Sequence, residues 1–68
     1  MNLEKLPNQR IKLDLSENDI RILIGALREI TEVIDDFEFY ARVGGEKHEV
    51  DKLCVELKEK AEKAGIEL

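Results

Sequence analysis

Apolar and polar residues alternate along residues 10–15 (RIKLDL). This period of two predicts an extended segment with one face against a core. Residues 1–9 show no period, and Pro7 favours extended backbone before it, so they are predicted to form a flexible arm. A single domain is therefore predicted over residues 10–68, with residues 10–15 as its extended N-terminal arm.

The first predicted helix covers residues 16–34. Ser16 is a favoured N-cap residue, and Asp19, three positions later, can complete a capping box. Apolar residues then recur every three or four positions over an arc of roughly 200°, about twice the stripe of an ordinary surface helix. One neighbouring helix does not cover so wide an arc.

Two further helices are predicted after the first. A short helix at residues 36–43 carries all three aromatic residues, and Phe37 and Tyr40 are predicted to point inward and close one end of the core. Gly44 is predicted to end this helix in the left-handed conformation. The last helix, residues 46–64, has a narrow apolar stripe of roughly 100°.

These elements predict an all-α fold: an antiparallel helical hairpin with a short aromatic joint helix and an extended N-terminal arm. The narrow stripe of the last helix leaves part of the wide arc uncovered, and contiguous apolar surface usually marks an interface. A homodimer that forms a four-helix bundle would cover it. The alternative is that apolar residues of the N-terminal arm cover part of it, namely Ile11, Leu13 and Leu15. The predicted dimer interface consists of Ile22, Leu23, Ala26, Ile30 and Val33.

Charge restricts the partners that the chain can bind. Eleven basic and sixteen acidic residues give a net charge of −5, which disfavours nucleic acid and anionic membranes. One group of acidic residues is predicted either to be a solvated helix face or to form an acidic docking face for a basic protein partner. This group consists of Glu29, Glu32, Asp35, Asp36 and Glu38.

Catalytic and metal chemistry find little support in the sequence. The single Cys54 fits a small hydrophobic role, and the single His48 lies away from the apolar stripe of its helix, so too few ligands are present for zinc. We therefore expect no catalytic residues, no metal, no cofactor and no small-molecule ligand. With no signal peptide and no apolar run long enough for a membrane span, a cytoplasmic location is expected.

Two resemblances accompany these patterns. RIKLDLSENDIRIL, residues 10–23, resembles the start of ribbon-helix-helix repressors, in which strands of two chains pair and their polar side chains read the major groove. That resemblance implies contacts from Arg10, Lys12 and Asp14. The joint Phe39-x-x-Arg42-x-Gly44 resembles small uncharacterised bacterial helical proteins, which implies a bacterial setting and no particular activity.

The sequence thus predicts a non-enzymatic protein–protein interaction module that self-associates, such as an adaptor, an inhibitor or an immunity-type protein. The alternative is a ribbon-helix-helix-like DNA-binding regulator that uses Arg10 and Lys12 of its basic N-terminal arm as nucleic-acid contacts.

Overall fold

The fold combines two strands with three helices. A computed structural model describes all 68 residues. The elements in chain order are β1 (Asn2–Leu6), β2 (Arg10–Asp14), α1 (Glu17–Val33), α2 (Asp36–Val43) and α3 (Lys47–Lys63). The predicted all-α class is therefore wrong, because the N-terminal residues form a sheet.

The two strands form an antiparallel β hairpin, in which Leu3 lies opposite Leu13. Its turn contains Pro7, which follows β1 directly, and then Asn8 and Gln9, whose φ angles are 63° and 62°. The flexible arm predicted at residues 1–9 is thus a strand and a turn. Pro7 bends the chain back onto itself, and asparagine tolerates the left-handed conformation that such turns require.

α1 begins with the predicted capping box. The Asp19 backbone N–H donates to Ser16 Oγ at 3.1 Å, and the Ser16 backbone N–H donates to the Asp19 carboxylate at 3.4 Å. This exchange satisfies two backbone donors at the helix end. α1 is one residue shorter at each end than the predicted helix 16–34.

An extended break separates α1 from α2. Ile34 and Asp35 have ψ angles of 129° and 143°, so the helical phase of α1 does not continue into α2. As a result Phe39 is buried, whereas Phe37 and Tyr40 are exposed. The prediction that Phe37 and Tyr40 point inward is wrong, because it extended the apolar period of α1 across this break. Gly44 ends α2 with φ 86°, as predicted.

The core lies among the helices, where α3 packs along α1 and also contacts α2. Its buried residues come from all three helices, and they are Ile24, Phe39, Val50 and Ala61. The Ile66 backbone N–H donates to the Ala61 carbonyl at 3.0 Å and folds the C-terminus back onto α3. The chain forms three helices and a β hairpin where a helical hairpin was predicted. The predicted four-helix bundle is also wrong, because each chain of a dimer would contribute a β hairpin as well as its helices.

The β hairpin stands apart from the helices. No Cα atom of either strand lies within 8 Å of a helix Cα atom. The Cα radius of gyration is 13.2 Å, where a compact chain of this length has about 11 Å. The chain therefore extends as a flat body instead of closing around one core.

Candidate interaction surface

One face of the β hairpin is apolar and exposed. The register places Leu3 opposite Leu13 and Lys5 opposite Ile11. Because side chains alternate between the two faces of a strand, these four residues share one face. Leu3, Ile11 and Leu13 are 61%, 57% and 46% exposed. A two-stranded hairpin is marginally stable in water by itself, and its open apolar face is therefore a candidate interaction surface.

This face continues onto α1 through an open groove. The apolar lining of the groove comes from the chain start, the end of β2 and the first half of α1: Met1, Leu13, Leu15, Ile22, Leu23 and Ala26. Leu13 belongs both to the groove and to the hairpin face, so the two form one continuous area, which we call the apolar surface. Three of the predicted interface residues, Ile22, Leu23 and Ala26, lie on it.

The other two predicted interface residues lie farther along α1. Ile30 is half-buried. Val33 is exposed and lines a second groove at the junction of α1 and α2, beside Phe37. The predicted interface residues thus fall into two regions. The first three lie beside the β hairpin, and Val33 lies beside the acidic residues.

The accessible area shows how much surface the chain leaves open. Its total is 5807 Å², whereas a folded monomer of 7.8 kDa exposes about 4,400 Å². The excess of about 1,400 Å² falls within the roughly 1,000–2,500 Å² that each partner buries in an obligate dimer. The open surface is therefore large enough to form a stable interface.

The five residues of the predicted acidic docking face are all exposed, but their environments differ. Asp36 accepts a hydrogen bond from Lys47 Nζ at 2.9 Å, and Glu38 forms an ion pair with Arg42 at 3.5 Å. The other three have no basic group within 4 Å, and they are Glu29, Glu32 and Asp35. The face thus keeps three carboxylates free for a partner.

The ion pair between Asp36 and Lys47 joins the first turn of α2 to the first turn of α3. The hydrogen bond from Lys47 to Asp36 raises the pKa of the lysine, and the charges of Asp51 and Asp35 act in the same direction. Both side chains are open to water, so this pair orients the two helices and contributes little to overall stability.

Apolar groups lie among these carboxylates. Glu32, Asp35 and Asp36 line the second groove together with Val33 and Phe37, and Phe37 is 96% exposed. An aromatic ring beside carboxylates suits a guanidinium group, which can stack on the ring and pair with the acids. The chemistry of this groove matches a basic side chain.

The two residues predicted as nucleic-acid contacts, Arg10 and Lys12, lie on the polar face of β2. Lys12 is opposite Glu4 on β1, and Asp14 lies on the same face. Two basic and two acidic groups give this face no net charge, so it has little electrostatic attraction for phosphate. In addition, β2 pairs with β1 of its own chain, a pairing that the resemblance did not imply.

The remaining reactive groups are dispersed. Cys54 is half-buried, with its Sγ 3.8 Å from the Ile24 carbonyl oxygen, and His48 is exposed on α3. No three His, Cys, Asp or Glu side chains converge on a point where they could hold a metal. None of the helices has the length and apolar character needed to cross a membrane.

Comparison with family models, with curated proteins and with solved structures finds no match to this chain.

Sequence reasoning missed the part of the apolar surface that lies before residue 10. Met1 and Leu3 belong to it, and both fall in the segment predicted to be flexible. The available signal was the turn sequence Pro7-Asn8-Gln9, since Pro and Asn are typical turn residues between two strands. Recognition of that turn would have placed Leu3 beside Leu13.

Proposed function

We propose that the chain is a self-associating protein–protein interaction module, of the adaptor, inhibitor or immunity-protein kind, whose working unit is a homodimer. The observation that carries this proposal is the apolar surface, which joins the exposed hairpin face to the groove on α1. Apolar area of this extent on a small chain is typical of an interface. The acidic docking face remains available for a basic partner.

A second copy is favoured as the partner at the apolar surface because it supplies what the fold lacks. Domains are stable when each element covers its apolar face with a second layer. Here no Cα atom of either strand of the β hairpin lies within 8 Å of a helix Cα atom, and the groove between Leu13 and α1 stays open. A two-fold contact presents the same surface from both chains, so each copy can bury part of the open surface of the other.

Light scattering coupled to gel filtration tests the proposal. At micromolar concentration we expect a mass of about twice the 7.8 kDa of the chain. Ile22→Glu places a charge in the centre of the apolar surface, so it should reduce the mass to that of one chain because an unpaired buried charge opposes association.

Val55→Glu is the matched control. Val55 is also β-branched, lies on a helix and is 56% exposed, compared with 62% for Ile22, but it is outside the apolar surface. This variant should keep the dimer mass. A wild-type chain that remains folded and monomeric at high concentration would contradict the proposal, as would equal masses for the two variants.

A further inference from the structure

The β hairpin leaves the outer edge of each strand unpaired, since its sheet contains only β1 and β2. Unpaired strand edges carry rows of backbone N–H and C=O groups that readily pair with another chain. In a symmetric dimer, β1 can pair with the β1 of the second chain, or β2 can pair with the β2 of the second chain. The charges on each strand decide between them.

An antiparallel contact between two identical strands is centred on one residue, which lies opposite itself. In such a contact only residues from the same face of the strand meet. β1 carries Glu4 and Lys5, which are adjacent and therefore point to opposite faces. No symmetric register of β1 can bring these opposite charges together.

The charged residues of β2 behave differently, because Arg10, Lys12 and Asp14 share one face. A register centred on Asp14 places two aspartates directly opposite each other. A register centred on Lys12 pairs Arg10 with the partner's Asp14 but places the two Lys12 side chains directly opposite each other at its centre. A register centred on Ile11 places Arg10 against the partner's Lys12. The register centred on Leu13 avoids these repulsions, because it places Lys12 of each chain opposite the partner's Asp14 and the two Leu13 side chains together.

The geometry points to a dimer in which the two β2 strands pair antiparallel about Leu13 and form a continuous four-stranded sheet with the order β1-β2-β2-β1. This inference rests on the proposed homodimer and specifies its contact. Cross-strand pairs of opposite charge and of apolar side chains are the interactions that stabilise and register such sheets. The pairing also brings the grooves together, because α1 starts only three residues after β2 ends.

Cysteine cross-linking tests this register in full-length chains that carry Cys54→Ala. In the expected sheet, two cysteines introduced by Leu13→Cys lie directly opposite each other, within reach of a disulfide. Two cysteines introduced by Leu3→Cys lie three strand spacings apart, about 14 Å, which is too far. Both positions are exposed, so neither substitution should prevent folding.

With copper–phenanthroline and dissolved oxygen as the oxidant, Leu13→Cys should give a covalent dimer rapidly, and Leu3→Cys should not. Rapid cross-linking through Leu3→Cys, or through neither position, in a chain whose mass by light scattering is that of a dimer would overturn the register and leave the proposed function standing. A chain monomeric by light scattering would contradict both.

A pair of charge variants gives a second measurement. In the register centred on Leu13, Asp14→Lys places Lys12 opposite the lysine introduced in the partner. Lys12→Asp places Asp14 opposite the aspartate introduced in the partner. Each variant alone should dimerise about tenfold more weakly than wild type. When the two variants are mixed, both contacts join opposite charges, so a heterodimer should form more tightly than either variant homodimer. Unchanged affinity of the single variants, or no preference for the heterodimer, would exclude this register.

Discussion

Phe37 and Phe39 are two residues apart on α2 and lie on opposite sides of it: Phe39 is 1% exposed and Phe37 is 96% exposed. Two helical residues at this spacing are separated by about 200° around the axis. Phe39 is the most completely buried large side chain of the fold, so a single short helix supplies both a core anchor and an open aromatic ring.

Replacement of the buried ring should destabilise the fold severely. We expect Phe39→Ala to lower the free energy of unfolding by about 3–5 kcal/mol, because it leaves a cavity in a core that contains few buried residues. That loss is comparable with the whole stability of a domain of this size. Urea denaturation followed by circular dichroism measures it. Phe37→Ala is the matched control and should stay within about 0.5 kcal/mol of wild type. A similar loss of stability in both variants would contradict the difference in burial between the two rings.

Two glycines should respond in opposite directions to alanine. Gly25 lies inside α1, and a Cβ added there meets no atom within 4 Å beyond its chain neighbours and the adjacent backbone of its own helix, so Gly25→Ala should stabilise the fold by about 0.5–1 kcal/mol. Gly44 is equally open but has φ 86°, so Gly44→Ala should destabilise it by roughly 1–2 kcal/mol through backbone strain. Thermal melts of the two variants at equal protein concentration measure both effects. A stabilising Gly44→Ala would contradict the left-handed end of α2.

The ion pair between α2 and α3 should be visible in a pH titration. The hydrogen bond to Asp36 raises the pKa of Lys47, so folding favours the charged ammonium. The pair therefore stabilises the fold below the ordinary lysine pKa of 10.5, and this contribution is lost as the pH rises through the raised value. An NMR titration of the Lys47 side chain should give a lower pKa in Asp36→Asn than in wild type.

Glu32→Gln is the control for that titration. Glu32 lines the same groove as Asp36 and Lys47, but it has no basic group within 4 Å. Its replacement should leave the Lys47 titration close to that of wild type. A titration unaffected by Asp36→Asn would mean that the two side chains do not meet in solution.

The helices could be predicted from the sequence because local chemistry determines where they begin and end. The exchange between Ser16 and Asp19 and the left-handed Gly44 depend on residues at most a few positions apart. The orientation of α2 could not be predicted in this way. It depends on the extended backbone at Ile34 and Asp35, which interrupts an apolar period that continues unbroken in the sequence.

The β hairpin was missed for a different reason. The segment NLEKL of β1 has no apolar alternation of its own, and Leu3 gains an apolar neighbour only through pairing with Leu13, ten residues away. The apolar surface therefore includes Ile22 and Leu23, which the sequence pattern had singled out, and Met1 and Leu3, which it had not. The missed part depends on contacts between strands, which the period of a single segment does not contain.

If the proposed homodimer forms, the folding of the first fourteen residues depends on the concentration of the protein, because the β hairpin lies apart from its own helices. In that dimer the β hairpin would gain stability from a second chain, and such stabilisation grows with subunit concentration. A newly made chain without a partner would present open strands to chaperones and proteases, which act on unfolded segments. At low concentration unpaired subunits would then be removed and paired ones kept, so assembly itself would set how much protein a cell retains.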